Sequence, residues 1–282
     1  MLWIVTDPAA DLPGYVVEQF GINVVSGRVS FDGEVFRTGP DLLNTDFLAR
    51  WRESGQMPPV TEPAVNDLGQ VYQAILNEHP AADIISIHAS SAMSEVAQRA
   101  RVAAAACNPT QIHVVDSMSM SIGVGLLVRE AAAMAQQRRS AQAIMDVVNR
   151  MRSTMQGYMV TENLDYLIRS GSVSAVDRMI GGLLSVKPIL VFDNGKLKVH
   201  DQRRSRAEAL QTMSDSVVKA GFAHSGMRIG IAHCFCEDEA PLLAKEIAGA
   251  LKPETLLVTE FGPGTATIGG PGALAAFWTA PR

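Results

Sequence analysis

Short apolar runs alternate with amphipathic stretches through the first half of the chain, the pattern of strands feeding helices. Residues 2–6 form an apolar run of strand length, 13–20 a short helix candidate, and 22–29 a β-branched stretch. Helical spacing recurs over 47–53 and 65–77, a buried-strand run over 83–88, and Ser91 or Ser94 is placed to cap a helix reaching residue 106. Another strand is expected at 112–115, a small-residue helix at 121–137, and a helix capped by Ser140 running to about 155. Strand and helix in this order predict parallel βαβ units.

The second half reads differently. Strands are expected at 156–161 and 188–192, and Asp193-Asn194-Gly195 is a hairpin signal leading into 196–200. A helix at 206–220, a strand at 228–234, a helix at 239–251 and a strand at 255–259 follow. The sum is a mixed α/β sheet with at least one antiparallel pair. The expected organisation is an N-terminal α/β domain over 1–157 and a C-terminal mixed α/β domain over 158–282.

Composition narrows the class. The chain has 282 residues, 47% apolar and 19% charged, enough hydrophobe for a full core and too much for disorder. A net charge of −5 gives no electrostatic footprint for nucleic acid. No apolar run reaches the roughly 18–20 residues of a membrane span, and the opening MLWIVTDPAADLP lacks the basic start of a signal peptide. Cys234 and Cys236 are too close for an ordinary structural disulfide, so a reduced, cytoplasmic protein is expected.

Polar stations follow the predicted strands: Asp7, Ser90 with Ser91, and Asp116 with Ser117. In an α/β sheet the crevice beyond the strands' carboxyl ends takes the ligand, and hydroxyls with free backbone N–H groups favour an anionic head. Each station also reads as an ordinary cap or turn residue. Signatures of catalysis are weak: there is no P-loop, no complete GxGxxG around Gly123-Val124-Gly125 or Gly262-Pro263-Gly264, and no GxSxG elbow. Cys234-x-Cys236 lacks a second ligand pair at zinc spacing, so no metal and no cofactor is expected. Arg203, Arg204 and Arg206 form a basic cluster, either a solvated helix start or a docking patch for an acidic partner. His88 and His113, both on predicted strands, read as structural.

Seven short motifs in register resemble the DegV family of bacterial fatty-acid-binding proteins, which includes the lipid-presenting subunit of fatty-acid kinase. They are Thr6-Asp7 through Leu12-Pro13, Thr61 before Pro63-Ala64, Ser90-Ser91-Ala92-Met93-Ser94, Val115-Asp116-Ser117, Asn163 through Leu167, Leu184 through Leu190, and Gly270-Pro271-Gly272-Ala273-Leu274. The resemblance implies a two-domain fold with a fatty acid held between the domains and its carboxylate on hydroxyls. Carried onto this chain, the ligand-binding positions are Thr61, Ser90, Ser91, Ser94, Gly270 and Gly272, with Asp7, Asp116, Ser117 and Ile268 around the pocket. Arg203, Arg204 and Arg206 become docking residues for a kinase subunit. The chain departs from the family in four places. Thr61-Glu62-Pro63 stands for Thr-Ser-Gln-Pro, and Ser94-Glu95-Val96 for Ser-Gly-Thr. Ser172 stands for an arginine within 170–174, and Ile268 for a histidine that helps hold the carboxylate. The reading is therefore a non-catalytic lipid binder. Its alternatives are a scaffold that has lost the ligand, or a small-substrate hydrolase or transferase using Asp7, Asp116 and Ser117.

Overall fold

The computed structural model describes residues 1–173, 186–222, 224 and 226–280. The first half runs β1 (Leu2–Thr6), α1 (Gly14–Phe20), β2 (Asn23–Val24), β3 (Arg28–Phe31), β4 (Glu34–Arg37), α2 (Asn44–Ser54), β5 (Val60–Thr61) and α3 (Val65–Glu78). It continues through β6 (Asp83–His88), α4 (Val96–Cys107), β7 (Ile112–Asp116), α5 (Ile122–Gln136) and α6 (Ala141–Thr154). Strands β2, β1, β6 and β7 form, in that order, a wholly parallel sheet. A small antiparallel sheet, ordered β4-β3-β5, lies beside it.

The second half comprises β8 (Gln156–Val160), α7 (Asp165–Arg169), β9 (Lys187–Asp193), β10 (Lys196–Arg203), α8 (Arg206–Phe222), β11 (Arg228–His233), α9 (Glu239–Leu251), β12 (Thr255–Glu260), α10 (Pro263–Gly269) and β13 (Leu274–Thr279). Its sheet has the order β10-β9-β8-β13-β11-β12 among the described residues. Only β11 and β12 pair in parallel there; the other pairs are antiparallel. The two central turn residues between β9 and β10, Asn194 and Gly195, both have positive φ, 49° and 77°. That is the geometry a two-residue hairpin needs to match strand twist.

Side-chain alternation sorts the strands into layers. Ile4, Ile85, Ile87, Ala275 and Phe277 point into one core shared by both sheets. Val5 and Ile84 point the other way, against α3 and α4, and Ile229, Ile231 and Trp278 point toward α8 and α9. The shared core is filled by α5, buried along most of its length, as a helix apolar on every side must be. Its small residues let both neighbours come close. A Cβ on Gly123 would sit 2.6 Å from the Phe277 ring, and one on Gly125 would sit 2.6 Å from the Ala10 carbonyl oxygen. The Gly123-Val124-Gly125 run is thus a packing device between two layers.

Several features depart from the sequence pattern. The 22–29 stretch is split into β2 and β3. Strand β13, central to the second sheet and buried at all six positions, follows directly on a glycine-rich turn. Helix α4 begins at Val96 with Glu95 at its cap and no capping side chain on that residue, although Ser94 Oγ accepts the Val96 N–H at 3.1 Å.

Candidate functional site

The carboxyl ends of β1, β6 and β7 lie side by side, because these strands are neighbours in the parallel sheet. Asp7 follows β1 and caps a single 3-10 turn over Pro8–Ala10, accepting the Ala9 N–H at 2.9 Å. Facing it are β5 and α10. Between them is a cavity of about 200 Å³ whose wall includes Asp7, Thr38, Thr61, Thr265 and Ile268. Val60, Ala89, Met93 and Met120 give it an apolar lining. Glu62, Met93 and Ser94 also border an open depression of about 490 Å³, lined further by Ser91, Ser170, Ser172 and Lys196. The shared residues make a sill between inner cavity and outer depression.

Backbone geometry places the inner hydroxyls. Gly27 N–H donates to Thr38 Oγ1 at 2.8 Å, and a Cβ at Gly27 would meet the Thr61 carbonyl oxygen at 2.7 Å. Glycine there lets the two chain segments close. Thr61 is exposed on β5, paired with Arg28. Thr265 is buried and its hydroxyl has no hydrogen-bond partner, while Thr267 donates to the Gly264 carbonyl at 2.9 Å. Ile268 stands one helical turn after Thr265, on the same face of α10.

The serine stations separate. Ser94 borders both spaces and Ser91 only the outer one. Ser90 lines neither: it is 2% exposed, its Oγ accepts the Ala92 N–H at 3.2 Å, and Gly195 of the β9–β10 turn lies directly over it. The Asp116 carboxylate accepts the backbone N–H groups of Ser91 at 3.2 Å and Met118 at 2.9 Å. Ser117 is buried and donates to the Ser119 carbonyl at 3.2 Å. Gly270 and Gly272 adopt positive φ, 76° and 80°, and pack on Tyr166 and Glu162. They shape the turn between α10 and β13, and neither they nor Asp116 and Ser117 line the two spaces. Position 174 and positions 184 and 185 of the sequence motifs lie outside the described residues.

Two buried polar networks underlie the cavity. Asp7 Oδ2 pairs with His88 Nδ1 at 2.7 Å, His88 Nε2 with Ser86 Oγ at 2.7 Å, and Ser86 Oγ with Tyr72 OH at 2.8 Å. Carboxylate, imidazole and hydroxyl stand in the order of a catalytic triad. The hydroxyl end, however, is fully buried and closed by Tyr72, whose own hydroxyl burial pushes up to about 12. The chain thus ties β1, β6 and α3 together. His88 is the histidine beside Asp7 that sequence spacing did not reveal, since its partner lies 81 positions away. The second network centres on Asp11, which burial pushes up to about 7 against hydrogen bonds from Ser121 and Gly262.

At the sill, Arg99 sits between two acids: 2.6 Å from Glu95 and 3.4 Å from Glu62. It also donates to the Pro63 carbonyl at 3.1 Å, so the negative charge that Glu62 and Glu95 bring to the entrance has a local counter-ion.

The three arginines of the basic cluster have different surroundings. Arg206 is inserted between elements, donating to Glu239, to Glu162 at 2.8 Å and to the Gly272 carbonyl at 2.7 Å. It also lies 3.1 Å from Cys236 Sγ, whose thiol burial pushes up to about 12. Arg203 pairs with Asp201 at 2.6 Å. Arg204 is exposed, with its backbone N–H on Glu208.

Comparison with known proteins agrees with this architecture along the full chain. The model of the DegV family, described as an uncharacterised protein family, matches residues 1–280. A DegV domain-containing protein of Caldanaerobacter subterraneus subsp. tengcongensis is 32% identical over 280 residues, covering 98% of this chain and 97% of the relative. DegV of Bacillus subtilis, whose crystal structure is described as that of a fatty acid binding protein, superposes with a TM-score of 0.88 at 26% identity, covering 99% of each chain. A Thermus thermophilus DegV family protein, described for its fatty acid binding, gives 0.89 at 26% identity and again 99% of each chain. The chain belongs to the DegV family.

Proposed function

We propose that this chain binds a long-chain fatty acid or a related lipid without transforming it, and sequesters it or presents it to a separate kinase subunit in the bacterial cytoplasm. The observation that carries the reading is the cavity at the carboxyl edge of the parallel sheet, with methionine and aliphatic walls and several threonine hydroxyls. An acyl chain gains about 0.8 kcal/mol per methylene removed from water, which supplies the affinity. Hydroxyl donors avoid the cost of an unpaired buried head group. At about 200 Å³ the inner space is below the roughly 300–1,000 Å³ of drug-sized ligand sites. The flexible side chains of Met93 and Met120 are suited to repacking around an entering chain. Structural relatives at 26% identity over the whole chain, described as fatty acid binding, support the same ligand class.

A hydrolase or transferase built on Asp7, Asp116 and Ser117 has less support. Asp116 and Ser117 are engaged with neighbouring backbone groups, and only Asp7 borders the cavity. Within the docking cluster, Arg204 is the arginine best placed to meet a partner. Among the described residues no helix is long and apolar enough to cross a membrane. Lipid extraction of protein purified from a bacterial host tests the reading. A fatty acid recovered at near one per chain is expected; recovery of none above the level of an unrelated control protein would favour the scaffold that has lost its ligand.

A further inference from the structure

We infer that Thr265 donates a hydrogen bond to the polar head of the bound ligand, one helical turn ahead of the place that Ile268 leaves apolar. The inference rests on the lipid-binding reading above. Thr265 is 1% exposed, borders the cavity, and its Oγ1 has no partner in the protein. A buried hydroxyl without a partner destabilises the fold, so a threonine here is costly unless something that enters the cavity satisfies it. The neighbouring acceptor is the Asp11 carboxyl, close enough for Thr265 to favour its ionised form. Hydrogen-bond geometry is nevertheless not met. Each Asp11 oxygen instead accepts one hydrogen bond from elsewhere, from Ser121 at 2.6 Å and from the Gly262 N–H at 2.8 Å.

The rest of the lining decides what kind of contact this is. Asp7 and Glu62 are the ionisable residues that border the inner cavity, and both are acidic. Lys196 borders only the outer depression. An anionic head in the inner cavity is therefore held by neutral donors or not at all. Thr265 supplies one donor from α10. Thr38, which also borders the cavity and whose Oγ1 accepts the Gly27 N–H at 2.8 Å, keeps its own proton to supply a second. The class of ligand is a carboxylate on an apolar chain, gripped by threonines without a cation.

The test uses palmitate carrying a 13C label at its carboxyl, added to the delipidated full-length protein. Thr265→Val keeps the shape and removes the donor; it should weaken palmitate binding about tenfold or more. It should also raise the pH at which the bound carboxyl signal titrates, because a hydrogen bond to the charged form is lost. Thr265→Ser should stay within about threefold of wild type, with the titration unmoved. Wild-type affinity and an unmoved carboxyl titration in Thr265→Val would overturn the inference. Uptake of palmitate by wild type with that result would spare the lipid-binding reading; no uptake by wild type would sink both. Should Thr265→Val fail to fold, Thr265→Ala carries the same two readouts.

Discussion

Asp11 Oδ1 accepts a 2.8 Å hydrogen bond from the Gly262 N–H, 251 positions further along the chain, while Ser121 donates to its second oxygen at 2.6 Å. One buried carboxyl thereby joins the turn after β1, the start of α5 and the start of α10. Asp11 holds a positive φ of 45° to do so, and a side chain at Gly262 would strike it, with a Cβ 2.8 Å from Oδ1. The wall of the cavity carrying Thr265 and Ile268 is positioned by this clasp.

The clasp has a pH signature. Burial raises the Asp11 carboxyl from 3.8 to about 7, so the folded chain binds this proton more tightly than the unfolded chain. Its stabilising contribution is fully present below about pH 4 and is lost as pH rises through about 7. The amplitude is on the order of a few kcal/mol. Thermal unfolding followed between about pH 5 and pH 8 should show stability falling with pH through this group, and Asp11→Asn should flatten that slope. An unchanged slope in Asp11→Asn would assign the pH dependence elsewhere.

The Asp7–His88–Ser86–Tyr72 chain is expected to be structural. His88→Ala leaves Asp7 and Ser86 without their buried partner, which should cost about 1–3 kcal/mol. Denaturant unfolding measures it. A loss below about 0.5 kcal/mol, the range of ordinary surface substitutions, would show that water or relaxation replaces the imidazole without penalty.

Gly195 closes the hairpin turn onto Ser90. A Cβ there would fall 2.3 Å from Ser90 Oγ, and the residue's φ is 77°. Gly195→Ala combines a left-handed backbone cost of roughly 1–2 kcal/mol with that clash. It should lower the melting temperature and expose the 193–195 turn to limited proteolysis. Wild-type melting and cleavage patterns would mean that the turn moves freely off Ser90.

The arginines should divide by role. Arg206→Ala removes hydrogen bonds to Glu239, Glu162 and the Gly272 carbonyl and should destabilise the protein by about 1–3 kcal/mol. Arg204→Glu, on an exposed side chain, should leave stability within about 0.5 kcal/mol and lipid uptake unchanged while abolishing activation of a kinase partner. If Arg204→Glu also abolished lipid uptake, the docking role would fall.

The sequence made the regular elements legible where periodicity was strong and uninterrupted. Strand β6, the hairpin at Asn194-Gly195 and the amphipathic α3 are examples, as is the division into a parallel and a mixed sheet. It hid elements whose signal was short or masked by small residues. Strands β4 and β5 are four and two residues long, and β13 follows directly on the Gly270–Gly272 turn. The site was harder still. Ser90, Ser91 and Ser94 are neighbours in sequence, yet one is sealed under Gly195, one opens to the outer depression and one borders both spaces. His88, Thr38 and Thr265 belong to no motif of fixed spacing. Their places are set by how segments pack in three dimensions, as where β1 and β6 bring His88 to Asp7 across 81 positions.

Native mass spectrometry of the delipidated protein mixed with palmitate decides whether this chain takes up a fatty acid. The expected result is a single mass increment equal to one palmitate per chain, saturating at one and competed by oleate. An unshifted mass at palmitate concentrations that load an established fatty acid carrier would contradict the lipid-binding account.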